Sequence, residues 1–189
     1  MSDTQTAELL RTPDQIVGPF FPVGRAPETS GDLTHHGKAE GSLLYLSGRV
    51  LNCAGKPLPG ATVEIWQANA HGRYDHPHDS NPAPLDPNFA GYAAVQTDEQ
   101  GRYAFRTVRP KAYPAAPGRF RPAHIHFRVT AKQEQLVTQM YFEGEEWNDT
   151  DPWLNSARRK EALIVSPWPA AGKEPGALEV EFDIVLARG

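Results

Sequence analysis

Two histidines separated by one residue, His124 and His126, are the first candidates for chemistry in this sequence. They lie in the stretch His-Ile-His-Phe-Arg-Val, residues 124–129, whose strict alternation predicts a β-strand. Side chains two apart on a strand point to the same face. The two imidazoles therefore form a ready pair of metal ligands. Taken alone, His-x-His is also compatible with histidines that pack in a core or lie at the surface.

Two tyrosines upstream of this pair, Tyr74 and Tyr113, offer a different kind of donor atom. A phenol titrates near pH ~10, so only a strongly Lewis-acidic ion keeps it deprotonated at neutral pH. A hard trivalent iron suits two phenolates and two imidazoles better than zinc, which favours Cys, His or carboxylate ligands. Each tyrosine considered by itself is also compatible with a packing role.

Short β-strands are the elements that must position these side chains. The 18 prolines and 16 glycines are spread along the whole chain, which is typical of frequent turns in an all-β domain. One or two helical turns are predicted within 151–160, and long loops over 69–90 and 109–122. The predicted strands are 43–51, 61–67, 91–96, 102–107, 124–129, 136–142, 160–166 and 178–186.

This pattern predicts one domain of the all-β class, either a sandwich or a barrel. We expect residues 1–42 to form an N-terminal arm that packs over the domain, and residues 43–189 to form a β-sandwich with a prealbumin-like core and long active-site loops. The arm carries the sequence Gly18-Pro19-Phe20-Phe21-Pro22, and disordered arms rarely carry such an aromatic pair.

Composition excludes several classes of function. The net charge of -4 provides no basic field for nucleic acid. No apolar run approaches the roughly 20 residues that span a bilayer, so no membrane partner is expected. The single cysteine, Cys53, and the polar N-terminus favour a cytoplasmic location.

Several motifs together resemble the intradiol ring-cleavage dioxygenase family, and the short arm makes the chain similar to protocatechuate 3,4-dioxygenase subunits within it. The most specific motif is Arg-Pro-Ala-His-Ile-His-Phe at 121–127, with Tyr-Pro starting eleven residues before its first histidine. The others are Gly-Pro-Phe-Phe-Pro at 18–22, Leu-Pro-Gly-Ala at 58–61, Glu-Ile-Trp-Gln-Ala-Asn at 64–69, Gly-Arg-Tyr at 72–74, Thr-Asp at 97–98, Gly-Arg-Tyr-Ala-Phe at 101–105 and Gln-Met-Tyr-Phe at 139–142.

This resemblance implies an oxidoreductase with one Fe(III) per chain. The implied ligands are Tyr74, Tyr113, His124 and His126. It further implies catalytic roles for Arg121, which would stabilise negative charge on the substrate, for Gln139, and for Tyr113 as the ligand that leaves and takes a substrate proton. The implied reaction inserts both atoms of O2 into a catechol-type ring between the hydroxyl-bearing carbons and gives a cis,cis-muconate-type diacid.

The substrate and the assembly are less sharply indicated. A protocatechuate-like ring is favoured, with catechol, hydroxyquinol or pyrogallol as alternatives. Phe20, Phe21 and Arg73 are candidates for the substrate pocket. A carboxylated ring would need a cation near the pocket, and Arg73, Arg119 and Lys111 are the candidates for it. A homo-oligomer is expected, with a heteromer containing a related subunit as the alternative.

Two other classes of function are compatible with parts of the sequence. Residues 48–67 have the strand, Pro-Gly turn and strand pattern of a non-enzymatic transthyretin-like binding module, which would leave the four donor residues without a use. A zinc hydrolase using His124 and His126 would need a carboxylate in register, and none is evident.

Overall fold

Strands dominate the computed structural model, which describes residues 8–188. The helical elements in this part of the chain are one short helix, α1 (Pro152–Ser156), and a 3₁₀ turn over Lys160–Leu163. The strands are β1 (Leu43–Asn52), β2 (Thr62–Gln67), β3 (Tyr92–Gln96), β4 (Arg102–Val108), β5 (Tyr113–Ala116), β6 (Arg119–Arg121), β7 (His124–Thr130), β8 (Gln135–Phe142), β9 (Ile164–Val165), β10 (Trp168–Pro169), β11 (Leu178–Glu181) and β12 (Ile184–Leu186).

Two five-stranded sheets and one hairpin contain all of these strands. In the first sheet, β1 pairs antiparallel with β4 and parallel with both β11 and β12, and β10 extends the edge beyond β11. The second sheet has the order β3-β2-β7-β8-β9. Strands β5 and β6 form a separate two-stranded hairpin. The all-β class is confirmed, and the prealbumin-like arrangement of the sheets stays a prediction.

Both sheets contribute to one hydrophobic core. From the first sheet come Leu44, Leu46 and Val50, and from the second come Val63, Ile65, Ile125, Phe127, Val129 and Met140, all with little or no exposed surface. These are alternate residues of their strands, because successive side chains of a strand point to opposite faces. Removing their apolar area from water is the main contribution to stability.

The opposite face of the second sheet is polar and aromatic, and it carries the two histidines among the predicted metal ligands. Trp66 of β2, His126 of β7 and Gln139 of β8 lie directly opposite one another across the three strands. His124 pairs with Tyr141 in the next row on the same face. The alternation seen in 61–67 and 124–129 therefore separates a core face from a site face.

The described part of the N-terminal arm, residues 8–42, packs over the two sheets, while residues 1–7 lie outside the described range. The Thr12 amide donates to the Val185 carbonyl at 2.9 Å, and the Gln15 amide donates to the Val137 carbonyl at 2.9 Å. Further along, Glu28 forms a parallel bridge with Ala93. The arm thus crosses from the first sheet to the second.

Three predicted elements differ from the structure. The loop predicted over 109–122 contains the β5–β6 hairpin, which a Pro- and Gly-rich composition concealed. The strand predicted over 178–186 is divided at 182–183, because the Asp183 carboxylate accepts the Arg49 amide at 2.8 Å in place of a ladder bond. The strand predicted over 160–166 is mostly the 3₁₀ turn. In the described chain, no helix has the length and apolar character to cross a membrane.

Candidate active site

The four predicted ligands lie together: His124 and His126 are on the site face of β7, Tyr74 is in the loop that follows β2, and Tyr113 is in β5. The Nε2 atoms of His124 and His126 are 3.1 Å apart. The ring centroid of Tyr74 is 5.4 Å from that of Tyr113 and 6.3 Å from that of His126, and the ring of Tyr113 is 5.7 Å from His124. All four side chains are at most 6% exposed. Two phenols and two imidazoles therefore converge in one buried cluster.

Both histidines are neutral in this environment. Burial, followed by the positive charge of Arg121, lowers the pKa of each imidazole well below its usual value. Nδ1 of His124 lies 2.8 Å from the carbonyl oxygen of Pro122, which assigns the ring proton to Nδ1. The Nε2 lone pair of His124 is therefore directed into the cluster, the arrangement that a metal-binding imidazole requires.

Burial acts against metal binding by the two phenols, because it disfavours the ionised form of a phenol. Burial, and then the neighbouring Tyr113, raises the pKa of Tyr74 well above its usual value, and burial also raises the pKa of Tyr113 against the lowering effect of Arg121. The buried hydroxyl of Tyr74 has no hydrogen-bond partner. Such an orphaned polar atom is costly, which indicates that something other than a protein group satisfies it.

The donor set fits a hard trivalent cation. Among residues 8–188, no group of three or more His, Cys, Asp or Glu side chains is placed to hold a metal ion, so a metal at this position must use the tyrosines. Phenolate oxygen and neutral imidazole suit Fe(III), and a strong Lewis acid is what would ionise phenols whose pKa burial has raised. The residues present therefore fit the iron that the sequence predicts.

Local backbone geometry brings the two tyrosines together. Gly72 has φ of +80°, and a Cβ atom there would lie 2.6 Å from the carbonyl oxygen of Ala112. Only glycine therefore lets the turn before Tyr74 approach the segment that carries Tyr113. The Tyr74 amide also donates to the Asp79 carboxylate at 2.7 Å, which fixes the turn from its other side.

Arg121 and Gln139, to which the resemblance assigns catalytic roles, also lie at the cluster. Arg121 is paired with Tyr113 across the hairpin, and its Nη1 is 3.2 Å from Nε2 of His124. Its Nη2 donates to Oε1 of Gln139 at 2.8 Å. Its Nε donates to the fully buried carboxylate of Asp151 at 2.9 Å. Arg121 therefore contacts the donor cluster through Nη1 and forms a buried ion pair with Asp151 through Nε.

A cavity of about 750 Å³ opens beside the cluster. Tyr113, Arg121, Phe20 and Trp153 contribute to its wall, together with Ile16 of the arm. Tyr113 is the one predicted ligand that lines it. The wall is largely apolar and aromatic, which suits a flat ring.

Two predicted pocket residues lie outside this cavity. Phe21 packs edge-on against Trp66 with a centroid distance of 5.0 Å, and the Arg128 guanidinium covers its ring. Arg73 donates to the Ala83 carbonyl at 2.7 Å within its own loop. Trp66 stacks on His126 with a centroid distance of 4.7 Å.

The residues around Arg121 are not predictable from the sequence. Asp151 and Trp153 belong to the α1 region, 30 residues downstream of Arg121, and Gln15 belongs to the arm. The Asp-Pro pair at 151–152 signals a helix start, because Asp is a favoured N-cap and Pro a favoured first residue. That local signal contains no information about an arginine elsewhere in the chain.

Comparisons with known proteins agree with this geometry. A family model described as Dioxygenase matches residues 16–188. The chain is 39% identical to the protocatechuate 3,4-dioxygenase beta chain of Burkholderia cepacia, over 96% of this chain and 83% of that protein. It is 36% identical to the catechol 1,2-dioxygenase of Acinetobacter baylyi, over 94% of this chain but only 62% of that longer protein.

Solved structures give the same result. The dioxygenase domain of a carbohydrate-binding fusion protein from Streptomyces sp. SirexAA-E superposes with a TM-score of 0.73 at 32% identity, covering 93% of this chain and 97% of that one. The catechol 1,2-dioxygenase of Acinetobacter sp. ADP1 superposes with a TM-score of 0.75 at 32% identity, covering 93% of this chain and 62% of that one.

The chain therefore belongs to the intradiol ring-cleavage dioxygenase family. It is an enzyme of the oxidoreductase class, so neither the transthyretin-like binding module nor the zinc hydrolase is retained.

Proposed function

We propose that this protein is a non-haem Fe(III) dioxygenase that inserts both atoms of O2 into a catechol-type ring, between the two hydroxyl-bearing carbons, on a prealbumin-like β-sandwich. The product is a cis,cis-muconate-type diacid. The observation that carries this proposal is the convergence of two buried phenols and two neutral imidazoles beside the Arg121 guanidinium. One Fe(III) per chain would be held by Tyr74, Tyr113, His124 and His126.

The cavity wall distinguishes the four donors. Tyr113 lines the cavity, whereas Tyr74, His124 and His126 do not. An entering diol therefore meets Tyr113 first, and Tyr113 is the donor that can leave and accept a substrate proton at its phenolic oxygen. The iron, when bound, supplies the Lewis acidity that keeps the phenols ionised and draws electron density from the diol.

Arg121 and Gln139 supply the polar part of the site. Nη1 of Arg121 faces the donor cluster and would stabilise negative charge that develops on the ring oxygens, because a fixed cation in a water-poor site acts strongly there. Gln139 holds Nη2 through its Oε1 and anchors the arm by donating to the Ile16 carbonyl at 2.8 Å. Its role in this proposal is to orient Arg121 and to close the cavity.

The cavity wall favours a ring without a carboxylate substituent. Arg121 is the only Arg or Lys among the described residues of this wall, and Asp151 balances its charge. Lys111 lines a different cavity, and Arg119 lines an adjoining cavity that shares Arg121 and Trp153 with this one. We therefore place catechol and hydroxyquinol ahead of the protocatechuate-like ring that the sequence favours. Similarity to the beta chain of Burkholderia cepacia supports protocatechuate as the second candidate.

Oxygen uptake by the purified, iron-loaded chain tests this proposal with catechol, hydroxyquinol, pyrogallol and protocatechuate. We expect kcat/KM for catechol or hydroxyquinol to exceed that for protocatechuate by about tenfold, because a buried carboxylate without a cation is costly. The product of catechol formed under ¹⁸O2 should be the muconate carrying both labelled atoms. A product cleaved outside the diol, or no turnover of any of the four rings, contradicts the proposed reaction.

The same assay addresses the assembly. We propose a homo-oligomer, because this chain alone contains the whole donor set. Turnover by the purified chain supports that proposal, and turnover only after addition of a related subunit supports the heteromer.

A further inference from the structure

Each nitrogen of the Arg121 guanidinium has a different environment. Nε and Nη2 both contact the Asp151 carboxylate, at 2.9 and 3.4 Å. Nη2 also donates to Gln139 at 2.8 Å and to the hydroxyl of Tyr141 at 2.9 Å. Nη1 alone is directed at the donor cluster, 3.2 Å from Nε2 of His124. The partners of Nε and Nη2 therefore determine which way Nη1 points.

Asp151 is the only carboxylate among these partners, and it is completely buried. Its Oδ1 accepts the Leu154 amide at 2.8 Å, so Asp151 is also the N-cap of α1. This bond prevents the carboxylate from rotating freely, and Pro152 restrains the backbone that follows. A guanidinium can donate two parallel hydrogen bonds to a carboxylate only when the two groups share a plane, so a fixed Asp151 fixes the plane of the Arg121 guanidinium.

Two further contacts restrain Arg121, one made directly to its guanidinium and one made through Tyr141. The Trp153 ring covers the guanidinium with a distance of 4.5 Å from Cζ to the ring centroid, and the same ring lines the cavity. Gln15 of the arm accepts the Tyr141 hydroxyl at 3.0 Å. Segments far apart in the chain, namely the arm, β8 and α1, therefore meet around one side chain.

We propose that Asp151 is a positioning residue for the ring-opening reaction: it holds Arg121 so that Nη1 alone faces the substrate, and α1 serves to present that carboxylate. This inference rests on the proposed function, since it assigns a purpose to Arg121 at the donor cluster. It assigns no contact between Asp151 and the substrate, because Asp151 is fully buried and does not line the cavity.

The variant that tests this is Asp151→Asn, because Asn still caps a helix but its amide group cannot form the charged fork with Nε. We expect unchanged iron content and an unchanged visible spectrum, with kcat/KM lowered roughly 10- to 100-fold by misplacement of Nη1. Affinity for 4-nitrocatechol, read from its visible spectrum, should fall as well. Asp149→Asn, an exposed acid of the same segment, is the matched control and should behave as wild type.

Repeating the substitution in an Arg121→Gln background separates positioning from a general structural effect. If Asp151 acts only through Arg121, the second substitution should change kcat/KM by less than about twofold, because coupled residues are non-additive. Equal losses in both backgrounds, or normal kinetics of Asp151→Asn in the wild-type background, would overturn the proposal.

An NMR measurement on the metal-free wild-type protein tests the same contact without an Asp151 variant, so the test does not depend on that variant folding. In the metal-free wild-type protein, the Nε–H of Arg121 should give a slowly exchanging NMR signal, assigned by its loss in Arg121→Lys. A rapidly exchanging signal would show that Asp151 does not hold the guanidinium. This readout does not depend on turnover, so failure of the proposed reaction and failure of the positioning role give different results.

Discussion

At the scale of single residues, the site is a set of groups whose surroundings favour their uncharged forms. Burial lowers the pKa of His124 and His126 and raises that of Tyr74 and Tyr113. The neutral imidazole that burial favours is the form that binds a metal. The neutral phenol that burial favours is not, because a tyrosine binds a metal as the phenolate. The identities of these residues could be predicted from sequence motifs. Their burial and the partnerless hydroxyl of Tyr74 depend on packing between distant segments and could not.

Glu64 belongs to a second network on the site face. Its carboxylate accepts two bonds from Arg128, at 2.5 and 2.6 Å, and one from the Tyr92 hydroxyl at 2.6 Å. Arg128 in turn covers Phe21, which packs on Trp66 beneath His126. Burial would raise the pKa of Glu64, but the bonds from Arg128 and Tyr92 outweigh it, so the pKa lies below its ordinary value of 4.5.

The substitution Glu64→Gln should therefore have a pH-dependent cost in the metal-free protein. A carboxyl whose pKa is lowered by folding stabilises the fold above its ordinary pKa of 4.5, and that contribution is lost as the pH falls through the lower folded value. At neutral pH we expect a loss of about 1–3 kcal/mol in the free energy of unfolding. Urea titrations at pH 7 and near pH 3 should show the difference from wild type shrinking in acid. A constant difference would show that the charge of Glu64 is not involved.

At the scale of elements, alternation in the sequence was enough to place most strands. The predicted strand 124–129 corresponds to β7, and 61–67 corresponds to β2, because their two faces differ sharply in polarity. The β5–β6 hairpin could not be predicted in this way. Its residues 114–118, Pro-Ala-Ala-Pro-Gly, have no alternating pattern, and its strands pair only with each other. This hairpin nevertheless carries both Tyr113 and Arg121.

The contact between the two tyrosine-bearing segments can be tested at Gly72. Gly72→Ala combines a left-handed backbone, φ +80°, with a clash of the new Cβ against the Ala112 carbonyl. Gly60→Ala is the matched control, since Gly60 has φ of +70° but nothing within 4 Å of an added Cβ. The control should lose about 1–2 kcal/mol of unfolding free energy from backbone strain alone.

Gly72→Ala should lose more stability than this control and should also retain less iron, because Tyr74 and Tyr113 move apart. Thermal unfolding of the metal-free proteins and metal analysis after dialysis provide the two measurements. Equal stability and equal iron retention in the two variants would show that the approach of these segments is not needed for the site.

At the scale of the whole molecule, the site face of the second sheet is covered by segments that lie far apart in the chain. The arm supplies Ile16 and Phe20 to the cavity wall, and the α1 region supplies Trp153. The apolar character of the arm predicts that it packs on the domain. Which side chains it covers follows only from the fold, as the positions of Phe20 inside and Phe21 outside the cavity illustrate. The proposed substrate preference belongs to this scale, because the wall is assembled from the arm, the loop of residues 78–82, the β5–β6 hairpin and α1.

The visible absorption spectrum of the protein loaded with one Fe(III) per chain tests the central claim most directly. Iron bound by tyrosinate should give a broad charge-transfer band and a red to burgundy colour. The band should be weakened or lost in Tyr74→Phe, and iron should be released in His126→Ala, because each substitution removes one of the four donors. A colourless protein that binds zinc stoichiometrically in place of iron, or an unchanged band in both variants, would contradict the account.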